Sequence, residues 1–305
     1  MAADSEQNSE VRNQTSEVRG QRSGVKLISD LRLLTSVIDD FYAFYDFYGF
    51  NDLLFTARSA LSLSKGSLLT KGYAPIMKIL AIDTSTPVGS IAIVEGALLK
   101  AQHILNISAT HNQRLLPGID RILTDTDWTL DDLDGLAVSL GPGSFTGLRI
   151  GLSVVKGLAW ATGKPLAGVP TLDALAANVP LAPYPIYPVL DARKGEIYTA
   201  LYRMDDEQVP ARLTPYMAIK PEKLVDLISE KTLLVGDALL RYGDYLTGKL
   251  GERLHLVPPH LNVVHASSVA WLAWHKLRRG IHEDISSCTP LYVRPSEAEL
   301  NRISE

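Results

Sequence analysis

The chain has 305 residues, of which 46% are hydrophobic and 21% charged, enough apolar material for one large core or two modest ones. A formal charge of -4 gives it no electrostatic reason to hold a polyanion unaided, so RNA contact would need a partner. Its single cysteine, Cys288, excludes an intramolecular disulfide, a CxxC pair and a thiolate metal cluster. No run of about 20 apolar residues is present to span a bilayer, and the acidic N-terminus lacks the apolar core of a secretory signal. A reducing cytoplasm fits.

The first 76 residues differ from the rest. Residues 1 to 24 are polar, with Ser9-Glu10-Val11-Arg12 nearly repeated as Ser16-Glu17-Val18-Arg19, a low-complexity pattern for which disorder is the default. Residues 41 to 55 then hold five of the chain's six phenylalanines. Two readings fit this extension: an added appendage, or translated upstream sequence with Met77 as the start. The second is preferred, because Lys78 to Asp83 reads as a buried strand that opens a domain and needs nothing before it. A first lobe is expected over 77–182, and a second, smaller lobe with a C-terminal tail over 183–305.

From Met77 the elements follow in order. Ile79 to Asp83, Ser90 to Val94 and Leu98 to Ile104 predict a three-strand meander around the Glu95-Gly96 turn. Thr110-x-x-Gln113 fits a capping box, and Leu115, Leu116, Ile119, Ile122 and Leu123 recur at helical spacing, with Pro117 expected to kink the helix. Leu136 to Leu140 reads as a strand, Gly141 to Phe145 as a glycine loop, Thr146 to Thr162 as a helix and Pro165 to Gly168 as a strand. Parallel strands need crossovers, so this βββαβαβ order implies a mixed five-stranded sheet with helices packed on it, the topology of an RNase H-like lobe. Beyond it come Pro188 to Asp191, Glu196 to Tyr202, a helix over Pro221 to Ser229, Leu233 to Gly236 and a long helix over Ala266 to Arg279. They look like a shortened repetition of the first set.

Four constellations could carry chemistry. Asp83-Thr84-Ser85-Thr86 ends the first strand where a phosphate loop could lie, although Asp, Ser and Thr also hydrogen-bond turn backbone. In the second lobe Asp191-Ala192-Arg193-Lys194 takes the equivalent place, with two bulky cations where backbone should approach phosphate. Gly141-Pro142-Gly143-Ser144-Phe145-Thr146-Gly147 matches neither a P-loop nor a dinucleotide fingerprint and reads better as a tight strand-to-helix turn. The following helix carries Gly147, Gly151 and Gly157, each costing about 1 kcal/mol relative to Ala, which close approach of another backbone would offset. It is also apolar nearly all round, so it needs cover on more than one side: its sheet, the Leu115/Ile119 helix, or another protein. The seven histidines form no HxxxH or HExxH pair, and no GxSxG elbow is present, so neither a zinc enzyme nor a serine hydrolase is indicated.

Taken in order and spacing, Met77 to Ser85, His111 to Pro117, Gly141 to Gly151 and Asp191 to Tyr198 resemble the TsaB (YeaZ) family, over roughly Met77 to Arg294. The resemblance implies a two-lobed α/β fold of the actin-like (ASKHA) kind and a cytoplasmic location. It implies pairing through the first lobe with a homologous catalytic subunit, TsaD-like, joined by a TsaE-like ATPase. The assembly transfers threonylcarbamoyl from its adenylate to N6 of adenosine 37 in tRNAs reading codons that begin with A, and tRNA is met only through the complex. In TsaD-like proteins a metal-binding HxxxH follows the fifth strand; here Thr171 and Leu175 stand in its place, so no metal, no catalytic residue and no cofactor of its own is expected. Asp83, Thr84 and Ser85 become a vestigial phosphate loop. The partner surface is carried onto Arg114, Leu115, Gly118, Phe145, Gly147, Leu148, Arg149, Gly151 and Leu152. On that reading Leu148→Glu or Leu152→Glu spares the fold and loses the partner, and the same helices make a homodimer when the partner is absent. The alternatives are a stand-alone actin-like ATPase or phosphotransferase and, behind it, an M22-type peptidase.

Overall fold

The computed structural model describes residues 76–106 and 111–294, all within one compact unit, Tyr73–Glu305. The extension and the Thr110 cap lie outside the described residues.

The first sheet holds β1 (Lys78–Asp83), β2 (Gly89–Glu95), β3 (Leu98–Leu105), β4 (Gly135–Gly141) and β5 (Leu166–Pro170) in the order β3-β2-β1-β4-β5. β2 runs antiparallel to β1 and β3, whereas β4 is parallel to β1 and β5 to β4. The two crossovers carry α1 (His111–Asp125) and α2 (Phe145–Thr162), and α3 (Thr171–Ala176) follows β5 directly. This is the expected mixed five-stranded sheet.

The second sheet repeats the plan with β6 (Ile186–Arg193), β7 (Glu196–Thr199), β8 (Tyr202–Met204), β9 (Pro210–Arg212), β10 (Met217–Ile219), β11 (Thr232–Val235) and β12 (Leu254–Leu256). Its main path is β10-β7-β6-β11-β12, with β6 antiparallel to β7 and parallel to β11, so it matches the first sheet strand for strand. Helices α4 (Pro221–Leu227), α5 (Leu239–Leu250) and α6 (Ala266–Leu277) complete it. The sequence suggested one strand from Glu196 to Tyr202; two are present, because Leu201 gives its N–H to the Thr214 hydroxyl and its carbonyl to the Leu213 amide, leaving β6 between them.

Strand alternation explains the layering. Along β1, Leu80 and Ile82 face α1 and α2 with Ile91, Leu115, Ile119, Ile122, Leu152 and Val155. Ile79 and Ala81 face the other way, where Ala92, Ala137 and Ala167 line a shallow floor under Val269, Ala270, Ala273 and Trp274 of α6. Small side chains on the strands let that helix lie close. The same central core takes in Ile186, Leu190 and Ala192 of β6, while Tyr187 and Val189 point to Leu224, Leu246 and Leu250 of α4 and α5. Each sheet is therefore covered on both faces, and α6 of the second set closes the open face of the first.

Candidate functional site

Two places could act: the cleft where the sheets meet, and the outer side of α1 and α2. The cleft is built by the turns that end equivalent strands. After β1, Asp83 Oδ1 accepts the Ser85 hydroxyl at 2.7 Å and its amide at 3.4 Å. The Thr84 hydroxyl donates to the Gly147 carbonyl at 2.8 Å, and the Ser144 amide to the Ser85 carbonyl at 2.6 Å. The glycine loop thus lies directly on the phosphate-loop candidate. A Cβ at Gly143 would stand 2.3 Å from the Ser85 carbonyl oxygen, one at Gly147 2.0 Å from that of Thr84, and one at Gly151 2.3 Å from the Thr84 hydroxyl. Close approach is what these glycines serve: the turn backbone meets Gly143 and Gly147 and the Thr84 side chain meets Gly151, all within the same lobe. Gly157 differs, since nothing lies within 4 Å of its Cβ position.

α2 begins one residue earlier than its periodicity indicates. Ser144 caps it, its hydroxyl accepting the Gly147 amide at 3.2 Å and its carbonyl the Leu148 amide at 2.9 Å. Phe145 enters the first turn and stacks on Tyr292 at 4.7 Å between ring centroids, and the Arg149 guanidinium sits 3.9 Å above the Phe145 ring while its Nε donates to the Tyr292 hydroxyl at 3.1 Å. Residues 281–294 form a strap here. Lys156 Nζ donates to the carbonyls of Ser286 and Cys288, the Leu291 amide to the Leu140 carbonyl, and Arg294 reaches Glu196 Oε2 at 2.8 Å and the Ala192 carbonyl at 3.2 Å. A tail from the second set therefore ties the glycine loop to the β6–β7 hairpin.

Between them is a cavity of about 710 Å³, lined by Ser85, Phe145, Arg149, Asp191, Arg193, Tyr198, Asp237, Arg241, Tyr292 and Arg294 among others. The second-lobe turn puts Arg193 and Lys194 at positive φ, 63° and 52°. Asp191 Oδ1 accepts the Arg193 amide at 2.8 Å, and the Asp191 amide donates to Asp237 Oδ1 at 3.0 Å. Burial pushes the Asp237 carboxyl above the usual carboxylate range; the hydrogen bond from Asp191 opposes this and the Asp191 charge adds to it.

An actin-like ATP site does not fit these residues. Thr84 and Ser85 have turned their hydroxyls to Gly147 and Asp83, and Asp83 lies off the main cavity, beside a separate space of about 20 Å³ with Thr84, Ser90, His103 and Arg114. On the second-lobe side of the cavity, where backbone should approach phosphate, stands Arg193, with Asp237 also in the lining.

At the start of α3, Thr171 and Leu175 are fully buried. Among the described residues no group of three His, Cys, Asp or Glu could hold a metal ion. Between them, Asp173 Oδ1 accepts the hydroxyls of both Tyr202 at 2.7 Å and Tyr216 at 2.8 Å. Desolvation raises the Asp173 carboxyl despite those two donors, and it holds Tyr202 and Tyr216 protonated. Sequence reading missed this cluster.

The outer helix pair needs a correction. Leu115, Leu148 and Leu152 are 5%, 1% and 5% exposed and pack under the lobe's own sheet or loops, and Gly147 and Gly151 are buried beneath Thr84. Glutamate at 148 or 152 would put a charge into the core, so the fold would not be spared. Arg114, Gly118 and Phe145 are half-buried and Arg149 is exposed. Outward from the same helices stand Leu116, 56% exposed, and Trp160, 80% exposed. Leu116 shares the helical spacing of Leu115, Ile119 and Ile122 but stands outside the core they join.

Two sheets of one topology, packed through a shared core with a cleft at their strand ends, define a two-lobed α/β protein of the actin-like class. The family model described as TsaD, tRNA N6-adenosine threonylcarbamoyltransferase, matches residues 105–302. The tRNA threonylcarbamoyladenosine biosynthesis protein TsaB of Bacillus subtilis is 30% identical over 230 residues, 74% of this chain and 98% of that protein. That of Haemophilus influenzae is 35% identical over 238 residues, 72% of this chain and 94% of that one. Among solved structures, YeaZ of Pseudomonas aeruginosa superposes with a TM-score of 0.60 at 27% identity, covering 71% of this chain and 99% of that one. The chain belongs to the TsaB family, whose members take part in tRNA threonylcarbamoyladenosine biosynthesis.

Proposed function

We propose that this chain is the non-catalytic, activating subunit of the complex that places threonylcarbamoyl on N6 of adenosine 37, and that it works in the cytoplasm paired with a TsaD-like catalytic subunit and joined by a TsaE-like ATPase. One observation carries the reading. Thr171 and Leu175, which by the family resemblance stand where the catalytic relative has two metal-binding imidazoles, are both fully buried, and neither a methyl-bearing hydroxyl in a core nor a leucine can replace those ligands.

The pairing surface is the outward side of α1 and α2. Arg114, Gly118, Phe145 and Arg149 remain as its reachable members, with Leu116 and Trp160 as its apolar anchors; the buried Leu115, Gly147, Leu148, Gly151 and Leu152 shape it from beneath. An indole 80% exposed on one helix and a leucine 56% exposed on the other are costly surface for a monomer, and large aromatics are the side chains that most often dominate interface energy. A homodimer through this face is the arrangement expected when the partner is absent.

The test is co-purification of the full chain with a TsaD-like subunit. Trp160→Glu and Leu116→Glu should leave the melting temperature near that of wild type, because both side chains are outside the core, yet weaken pairing by more than about tenfold. Undiminished pairing by both variants would refute the surface.

A further inference from the structure

The cleft has a charge arrangement that pairing does not explain. Four arginines line it, and two of them are already satisfied. Arg294 holds Glu196 at 2.8 Å, and Arg193 lies 3.6 Å from Asp191. Arg149 and Arg241 have no carboxylate within ion-pair distance among the described residues; Arg149 rests on Phe145 and Tyr292, and Arg241 on the Tyr242 ring at 5.3 Å. One sits on α2 of the first lobe and the other on α5 of the second, and both turn to the same cavity. Guanidinium groups lining one cavity disfavour each other until an anion joins them, and a guanidinium fork matches the paired oxygens of a phosphate or carboxylate.

We propose that the cleft binds a small molecule bearing an oxyanion, phosphate or carboxylate, without a divalent cation, held between Arg149 of the first lobe and Arg241 of the second. The cavity of about 710 Å³ is the size of a metabolite site, and the stacked Phe145 and Tyr292 rings give it one apolar wall. No metal is needed, because the charge that magnesium would supply comes from the two arginines, and the hydroxyls that would orient it are turned away. A ligand gripped from both lobes also bridges them, beside the strap that already ties Glu196 to Arg294. The site shares Phe145 and Arg149 with the proposed pairing surface, so its test is run on Arg241, which lies outside the helix pair.

The experiment is calorimetric titration of the full chain with inorganic pyrophosphate and, separately, with succinate, each in EDTA and again with magnesium. Binding of either in EDTA, weakening as salt is raised, is the expected result, and the pair tells phosphate from carboxylate. Arg241→Ala should weaken it about tenfold, whereas Arg203→Ala, an exposed arginine paired with Glu230 away from the cavity, should not. Absence of binding by both probes, binding only with magnesium, or an affinity unchanged in Arg241→Ala would each overturn the proposal. None of these outcomes bears on whether Trp160 pairs with a partner.

Discussion

Gly147 and Gly157 occupy one helix, yet alanine should act on them with opposite sign. At Gly157 nothing lies within 4 Å of the new methyl, so the substitution removes only the helix cost of glycine and should stabilise by about 0.5–1 kcal/mol. At Gly147 the same gain is available, but the methyl would stand 2.0 Å from the Thr84 carbonyl oxygen, a backbone atom that cannot swing aside. Forcing the turn away costs about 1–3 kcal/mol, as overpacking does. Separating Thr84 from Gly147 also breaks a buried hydrogen bond of 2.8 Å, a further ~1 kcal/mol. The net loss is about 2 kcal/mol, which for a unit of this size is a fall of about 4–8 °C in melting temperature. Thermal unfolding followed by circular dichroism measures both variants. If Gly147→Ala melts at or above wild type, the turn after β1 does not rest on α2 as described, and the account of the glycine-rich segment fails.

The core assignment of Leu148 predicts that Leu148→Ala loses about 2–5 kcal/mol, read as a lower urea midpoint at unchanged slope, whereas a surface leucine would lose almost nothing. Asp173 predicts a pH dependence. Its folded carboxyl is raised above the ordinary 3.8, so its favourable contribution is complete below that value and is lost as pH rises through the raised one. Asp173→Asn keeps an acceptor for Tyr202 and Tyr216 without the buried charge, so urea titrations should show it gaining on wild type as pH rises from about 4 to 8. A stability difference that stays flat over that range would remove Asp173 as the titrating group.

Much of the first lobe was legible because its signals are local. Lys78 to Asp83, Leu136 to Leu140 and the glycine loop are contiguous apolar runs and turn residues, and the sheet order follows from how many residues separate them. The second lobe was less so. α5 carries Gly243 and Gly248 inside its span, which weakens a helical pattern, and β8 to β10 are three residues each, too short for a period. α3, only six residues long, gave no helical signal of its own. For the candidate sites the limit is distance along the chain. Asp173 meets Tyr202 and Tyr216 across 29 and 43 positions, and the Arg149–Tyr292 contact spans 143. An apolar helix also looks alike whether a leucine faces its own sheet or a partner, so nothing local in the sequence separates the buried Leu148 and Leu152 from the exposed Trp160.

The central claim is that this chain completes a transferase whose chemistry lies in another subunit. The direct measurement is transfer of labelled threonylcarbamoyl to tRNA by the purified chain, by a TsaD-like subunit with a TsaE-like ATPase, and by all three together, at equal concentrations. The account predicts modification only when this chain and the TsaD-like subunit are both present. Transfer by this chain alone, or full transfer in its absence, would contradict it.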